Sequence, residues 1–121
     1  MPGNDLLIID TITHDDGVIK ASISINTNSA ILKGHFTGQP VVPGACMLQT
    51  VKEVLESALN KPLLLKKAAQ LKFISMIDPG KTKSAELEIN YRCTENKIDI
   101  TGKLIADGII CFKFQGTYLI Y

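Results

Sequence analysis

The sequence predicts an α+β fold in which an antiparallel sheet wraps around one long helix. Two observations carry this. Ala45 to Asn60 holds Met47, Leu48, Val51, Val54, Leu55, Ala58 and Leu59 at helical spacing, a broad apolar stripe suited to burial. After Pro62 the pattern changes to a series of strand-like stretches divided by short turn sequences.

In chain order, Leu6 to Thr13 is a short apolar run, and Val18, Ile19, Ala21, Ile23 and Ile25 follow a His14-Asp15-Asp16-Gly17 turn, so the two read as a strand pair. Thr27 to Gly44 is irregular and dense in Gly and Pro. The helix then runs until Asn60, Lys61 and Pro62, residues that stop helices. Four strands are expected over Ala68 to Met76, Ser84 to Cys93, Lys97 to Ala106 and Ile109 to Leu119. They are divided by Asp78-Pro79-Gly80, Thr94-Glu95-Asn96 and Asp107-Gly108, the last a dipeptide suited to a two-residue hairpin turn. One helix against five or six strands leaves a flank to be covered, which makes a dimer an expectation.

The length of 121 residues, with 45% hydrophobic and 21% charged, suits a single domain over 1–121 that buries roughly two thirds of its unfolded surface. A formal charge of +1 gives no footprint for nucleic acid or an anionic membrane, and favours a small or carrier-borne substrate. Cys46, Cys93 and Cys111 have no metal-ligand or CxxC spacing and read as reduced core thiols. No stretch reaches the ~18 apolar residues of a membrane span, and the first residues lack a basic region leading into an apolar run; a cytoplasmic location is expected.

The chemistry is expected in Gly34-His35-Phe36-Thr37-Gly38-Gln39-Pro40-Val41-Val42-Pro43-Gly44. A loop so rich in Gly and Pro has little freedom and brings His35 to the start of the helix. There the first N–H groups are unpaired and the dipole is positive, so a carbonyl oxygen gaining negative charge would be stabilised. An imidazole beside such a site suits a general base near neutral pH. A lone loop histidine is more commonly structural, and spacing does not decide between the two.

Gly34-His35-Phe36 with Gly38, Pro40, Pro43 and Gly44 resembles the GHFPGxPxxPG signature of the bacterial 3-hydroxyacyl-carrier-protein dehydratases, proteins of the hotdog fold. The stretch from Ala69-Gln70-Leu71-Lys72-Phe73 through Asp78-Pro79-Gly80 to the last hairpins is similar to that family too. The resemblance implies that His35 removes the C2 proton of a 3-hydroxyacyl thioester while an acid on the helix helps the C3 hydroxyl leave as water, with no cofactor. It places the carbonyl that holds the histidine on Val41 and the thioester-binding amide on Gly44, with Phe36, Pro43 and Ala45 beside the substrate. It also implies an acyl carrier protein with its phosphopantetheine arm as partner, and a homodimer whose subunits complete each other's tunnels.

Two positions depart from the family. Thr37 stands where the signature has proline. More seriously, the position of the family's acidic residue carries Gln49, whose carboxamide cannot donate a proton as an acid does. Glu53, four residues on and on the same helix face, lies where many members carry glutamine, so the pair looks exchanged. Glu53 then either reaches the site or works through Gln49 and a water; the alternative is a solvated flank beside Lys52 and Glu56.

Phe36, Leu71, Phe73 and Met76 are expected to line an acyl channel or to pack in the core. His14 reads as an exposed turn residue and Cys46 as packing, while Lys66, Lys67, Lys81 and Lys83 are solvated charges or docking contacts. Two rival functions remain. A subunit without activity could bind the carrier protein beside an active partner, as Gln49 suggests, or a hotdog thioesterase could use Glu53 to activate water.

Overall fold

The computed structural model describes residues 6–29 and 42–121. Six strands form one antiparallel sheet: β1 (Leu7–Asp15), β2 (Val18–Ile25), β3 (Leu63–Phe73), β4 (Ser84–Thr94), β5 (Lys97–Ala106) and β6 (Ile109–Ile120), in spatial order β1-β2-β4-β5-β6-β3. The helix α1 (Gly44–Leu59) lies on the inner face, packed mainly on β1 and more lightly on β2 and β3. This is the hotdog architecture that the sequence predicts.

Alternation explains the sheet. Ile19, Ala21, Ile23 and Ile25, then Leu87 and Ile89, Ile98 and Ile100, and Phe112, Phe114 and Tyr118 all turn inward and are buried, while the intervening side chains are mostly exposed. Against them α1 buries Cys46, Met47, Thr50, Val51, Val54 and Leu55. The helix ends with Asn60 in the left-handed region at φ 54° and its N–H bonded to the Glu56 carbonyl, as the Asn-Lys-Pro sequence leads one to expect. The Asp107-Gly108 turn has positive φ at both residues (53° and 75°), which a two-residue hairpin of this hand requires and which glycine adopts without strain.

Several sequence expectations shift. The third strand begins at Leu63, not Ala68, because Leu63-Leu64-Leu65-Lys66-Lys67 has no alternation to reveal it; it pairs with β6 along a sheet edge and is exposed from Leu64 to Phe73. His14 sits within β1 rather than in a turn; it is exposed, with Nε2 2.5 Å from the Tyr91 hydroxyl. Cys46 and Cys111 are buried, but Cys93 lies among the exposed last residues of β4, Arg92 to Thr94. Among the described residues no helix is long and apolar enough to cross a membrane.

Candidate functional site

The segment that carries His35, Phe36 and Val41 falls in 30–41, outside the described residues. Its far end is described. Val42 is buried, its N–H donating to the Ile77 carbonyl at 3.0 Å, and Pro43 follows with an extended backbone (φ −66°, ψ 145°) as N-cap of α1. Proline has no side-chain acceptor, so the helix starts without a side-chain cap; its first turn holds no acidic residue either. The amide end of α1 therefore keeps its positive partial charge at Gly44 and Ala45. Gly44 lies under the Phe73 ring, so a Cβ at this position would push that exposed ring aside.

An apolar cavity of about 280 Å³ opens at this helix start, bordered by Pro43, Gly44, Met47, Phe73 and Met76 among others. Phe73 and Met76, expected in a channel or in the core, border this cavity and are largely exposed rather than packed in the core. Leu71 does not border this cavity; it is 44% exposed on the irregular edge strand.

Gln49 and Glu53 lie one turn apart on the flank of α1 that is only half buried. Their side chains meet, Gln49 Nε2 donating to Glu53 Oε1 at 3.4 Å. Lys52 and Glu56 share this flank, and Glu56 is committed elsewhere, accepting the Leu63 N–H at 2.8 Å where β3 begins. Beside Gln49 is a second cavity of about 200 Å³, bordered by Ala45, Leu48, Gln49, Lys52, Leu65 and Tyr118.

Tyr118 is the residue that sequence reasoning missed. It is 1% exposed, and its phenol is pushed up to about 12, chiefly by desolvation and further by the charge of Glu56, so it stays protonated as a hydrogen-bond donor at neutral pH. An aromatic line joins the two cavities. Phe73 stacks on Phe112 (centroids 5.1 Å), Phe112 on Phe114 (6.5 Å), and Phe114 meets Tyr118 edge-on (6.3 Å). The signal was available: alternation along β6 puts Phe112, Phe114 and Tyr118 on the face that the helix covers. Among the described residues no cluster of three or more His, Cys, Asp or Glu could hold a metal ion.

Comparison with known proteins follows the same lines. Residues 11–108 match the family model described as ApeI-like, ApeI dehydratase. Over 122 aligned residues the chain is 24% identical to the 3-hydroxyacyl-(acyl-carrier-protein) dehydratase FabZ of Fusobacterium nucleatum, covering 94% of this chain and 86% of that one. It is 28% identical to the protein of the same description from Wolbachia pipientis wMel, over 73% of this chain and 67% of that one. Among solved structures, the dehydratase heterocomplex ApeI:P from Xenorhabdus doucetiae superposes with a TM-score of 0.76 at 16% identity, over 93% of this chain and 97% of that one. The E. coli PaaI protein from the phenylacetic acid degradation operon superposes at 0.70 with 12% identity, over 93% and 79%.

Proposed function

The chain belongs to the ApeI-like dehydratase family, and from that premise we propose that it dehydrates a 3-hydroxyacyl thioester on acyl carrier protein to the trans-2-enoyl thioester, in fatty-acid or polyene-type biosynthesis. The observation that carries the reading is the Gln49–Glu53 contact on the half-buried flank of α1. It keeps a carboxyl group within one turn of the position where the related dehydratases carry their acid.

In this reading His35 takes the C2 proton and the thioester oxygen, gaining charge, is held at the Gly44 amide. Val41 holds the histidine through its carbonyl, and Phe36, Pro43 and Ala45 border the substrate. The C3–O bond breaks, and its oxygen leaves as water with a proton from the Glu53 carboxyl, given directly or through a water held by Gln49. The imidazolium then returns the C2 proton to the carboxylate through solvent, so the cycle closes without oxidation or a cofactor. The cavity at Phe73 and Met76 receives the apolar chain.

The working unit in this proposal is a homodimer of single-domain chains, cytoplasmic like the carrier it serves. The exposed edge of β3, with Leu64, Leu65, Leu71 and Phe73 open to solvent, supports the reading, since an uncovered apolar edge strand favours pairing with another chain.

The test is mass spectrometry of a 3-hydroxyacyl carrier-protein thioester incubated with wild-type protein, His35→Ala and Glu53→Gln. Loss of one water with the wild type, absent with His35→Ala, is expected, and undiminished water loss with Glu53→Gln would remove the acid assignment. Free acid in place of the enoyl product would mean a thioesterase. A second reading rests on Gln49 itself: a subunit that binds the carrier beside a catalytic partner. Unchanged substrate together with carrier binding would favour it.

A further inference from the structure

The register of the sheet aligns charges that lie far apart in the sequence. On the outer face, Lys20 of β2 stands opposite Glu88 of β4, Glu88 opposite Lys103 of β5, Lys103 opposite Lys113 of β6, and Lys113 opposite Lys72 of β3. Directly opposed residues share a face, so four lysines and one glutamate form a single row across five strands, roughly 19 Å long at the usual strand spacing. Lys20, Lys72 and Lys113 are exposed and Lys103 half-buried.

Three lysines on adjacent strands are an unfavourable arrangement, because like charges placed opposite each other destabilise a sheet. The row is thus a local basic field on a chain whose formal charge is only +1. The next row is neutral and hydrogen-bonding: Asn90 opposite Thr101, Thr101 opposite Gln115, and Gln115 opposite Gln70. A groove of about 270 Å³ runs between these two rows, with Lys103 and Lys113 on one side and Gln70 and Gln115 on the other.

The row also has a direction. It ends at Lys72, next in sequence to Phe73, whose ring lies against Gly44 at the candidate site. Alternation turns Lys72 outward and Phe73 inward. The basic row therefore leads to the sheet edge beside the apolar cavity bordered by Phe73, Ile74 and Met76.

We propose that this outer-face row is the docking surface for the acidic carrier protein that delivers the thioester, with Lys72, Lys103 and Lys113 as its principal contacts. The proposal rests on the dehydratase reading for the identity of the partner. Charge complementarity selects that partner. A second copy docked across a two-fold axis on this row would oppose lysine to lysine, and one short row on a nearly neutral chain lacks the extended field of a nucleic-acid site. The lysines that the sequence offered for docking, Lys66, Lys67, Lys81 and Lys83, lie outside the row.

Two charge reversals, Lys103→Glu and Lys113→Glu, made singly, test it. Lys113→Glu places a glutamate between Lys103 and Lys72 and gains attractive pairs, while Lys103→Glu trades its attractive pair with Glu88 for one with Lys113; in both the row loses its field. Binding of fluorescently labelled acyl carrier protein is measured by anisotropy at low and high salt. Turnover is measured with the 3-hydroxyacyl group on carrier protein and on a small carrier-free N-acetylcysteamine thioester. Expected are binding about tenfold weaker than wild type at low salt, a difference that shrinks at high salt, a raised KM for the carrier-borne substrate, and unchanged turnover of the small thioester. Carrier binding equal to wild type in both variants would overturn the proposal while leaving the dehydratase reading intact. Carrier binding that depends on the row, without water loss from either substrate, would uphold the docking surface and remove the catalytic reading. A change in the mass of the assembly in solution for either variant would mean that the row is covered by another copy, and would overturn the proposal as well.

Discussion

The two flanks of α1 are built from the same sixteen residues and serve opposite ends. On the flank facing the sheet, Cys46, Thr50, Val51, Val54 and Leu55 are at most 1% exposed, and the one polar group there, the Thr50 hydroxyl, is turned back onto the Cys46 carbonyl at 2.8 Å. On the other flank Gln49, Lys52, Glu53 and Glu56 are half-buried, and a cavity beside Gln49 separates the helix from Leu65 and Tyr118. A flank optimised for burial would fill that cavity with a larger apolar side chain. The difference separates a flank packed for stability from one that leaves polar side chains beside a cavity.

The comparison predicts its largest effect on the closed flank. Leu55→Ala, at a position with no exposure, removes buried methyl groups and leaves a void, and should lower unfolding stability by about 3 kcal/mol in urea titration. A loss under about 1 kcal/mol would mean that the closed flank is no better packed than the open one. On the open flank the effect moves from stability to rate. Glu53→Gln should leave the urea midpoint nearly unchanged and lower dehydration about a hundredfold, the range of a lost general acid. Equal loss of stability and activity would erase the distinction between the flanks.

Which of these flanks could be read from the sequence is itself uneven. The closed one was legible, because Met47, Val51, Val54 and Leu55 recur at helical spacing and nothing else in the chain does so at that length. Gln49 and Glu53 were legible as a pair, since four residues is one helical turn, and they do touch. Their surroundings were not. Leu65 comes from a strand whose start the sequence hid for want of alternation, and Tyr118 lies 69 residues beyond Gln49, brought there by the β3–β6 register. The lysine row was illegible for the same reason, since Lys20, Lys72, Lys103 and Lys113 meet only through strand pairing. Local periodicity identifies elements; it does not say which of them become neighbours.

Tyr118 gives the comparison a pH axis. Desolvation, and secondarily Glu56, raise its phenol from 10.0 to about 12 in the folded chain. A group whose folded pKa lies above its unfolded value contributes stability that is fully present below the unfolded value and lost as pH rises through the folded one. The fold should therefore weaken between pH 10 and about 12, by roughly 2 kcal/mol from this group. Tyr118→Phe keeps the ring contact with Phe114 and has no proton to lose, so its urea midpoint should fall less steeply over that range. Parallel alkaline curves for the two proteins would show that the phenol is as well solvated as an exposed tyrosine.

The smallest effect is expected from the change that looks most drastic on paper. Exchanging the pair outright, Gln49→Glu with Glu53→Gln, moves the carboxyl group one turn toward the start of the helix and reverses which side chain donates in the contact between them. No net charge is altered, both positions are half-buried, and the side-chain pair at one-turn spacing is kept. Stability should stay within about 0.5 kcal/mol of wild type. If Glu53 supplies the proton, the exchanged protein regains most of the activity that Glu53→Gln loses, because the acid then stands where the related dehydratases carry it. A single Gln49→Glu, by contrast, sets two carboxylates one turn apart and should lower the thermal midpoint slightly, by the repulsion of like charges at that spacing. An exchanged protein as stable as wild type but as inactive as Glu53→Gln would mean that the carboxyl group works only from position 53, so that Glu53 reaches the substrate directly and not through the place of Gln49.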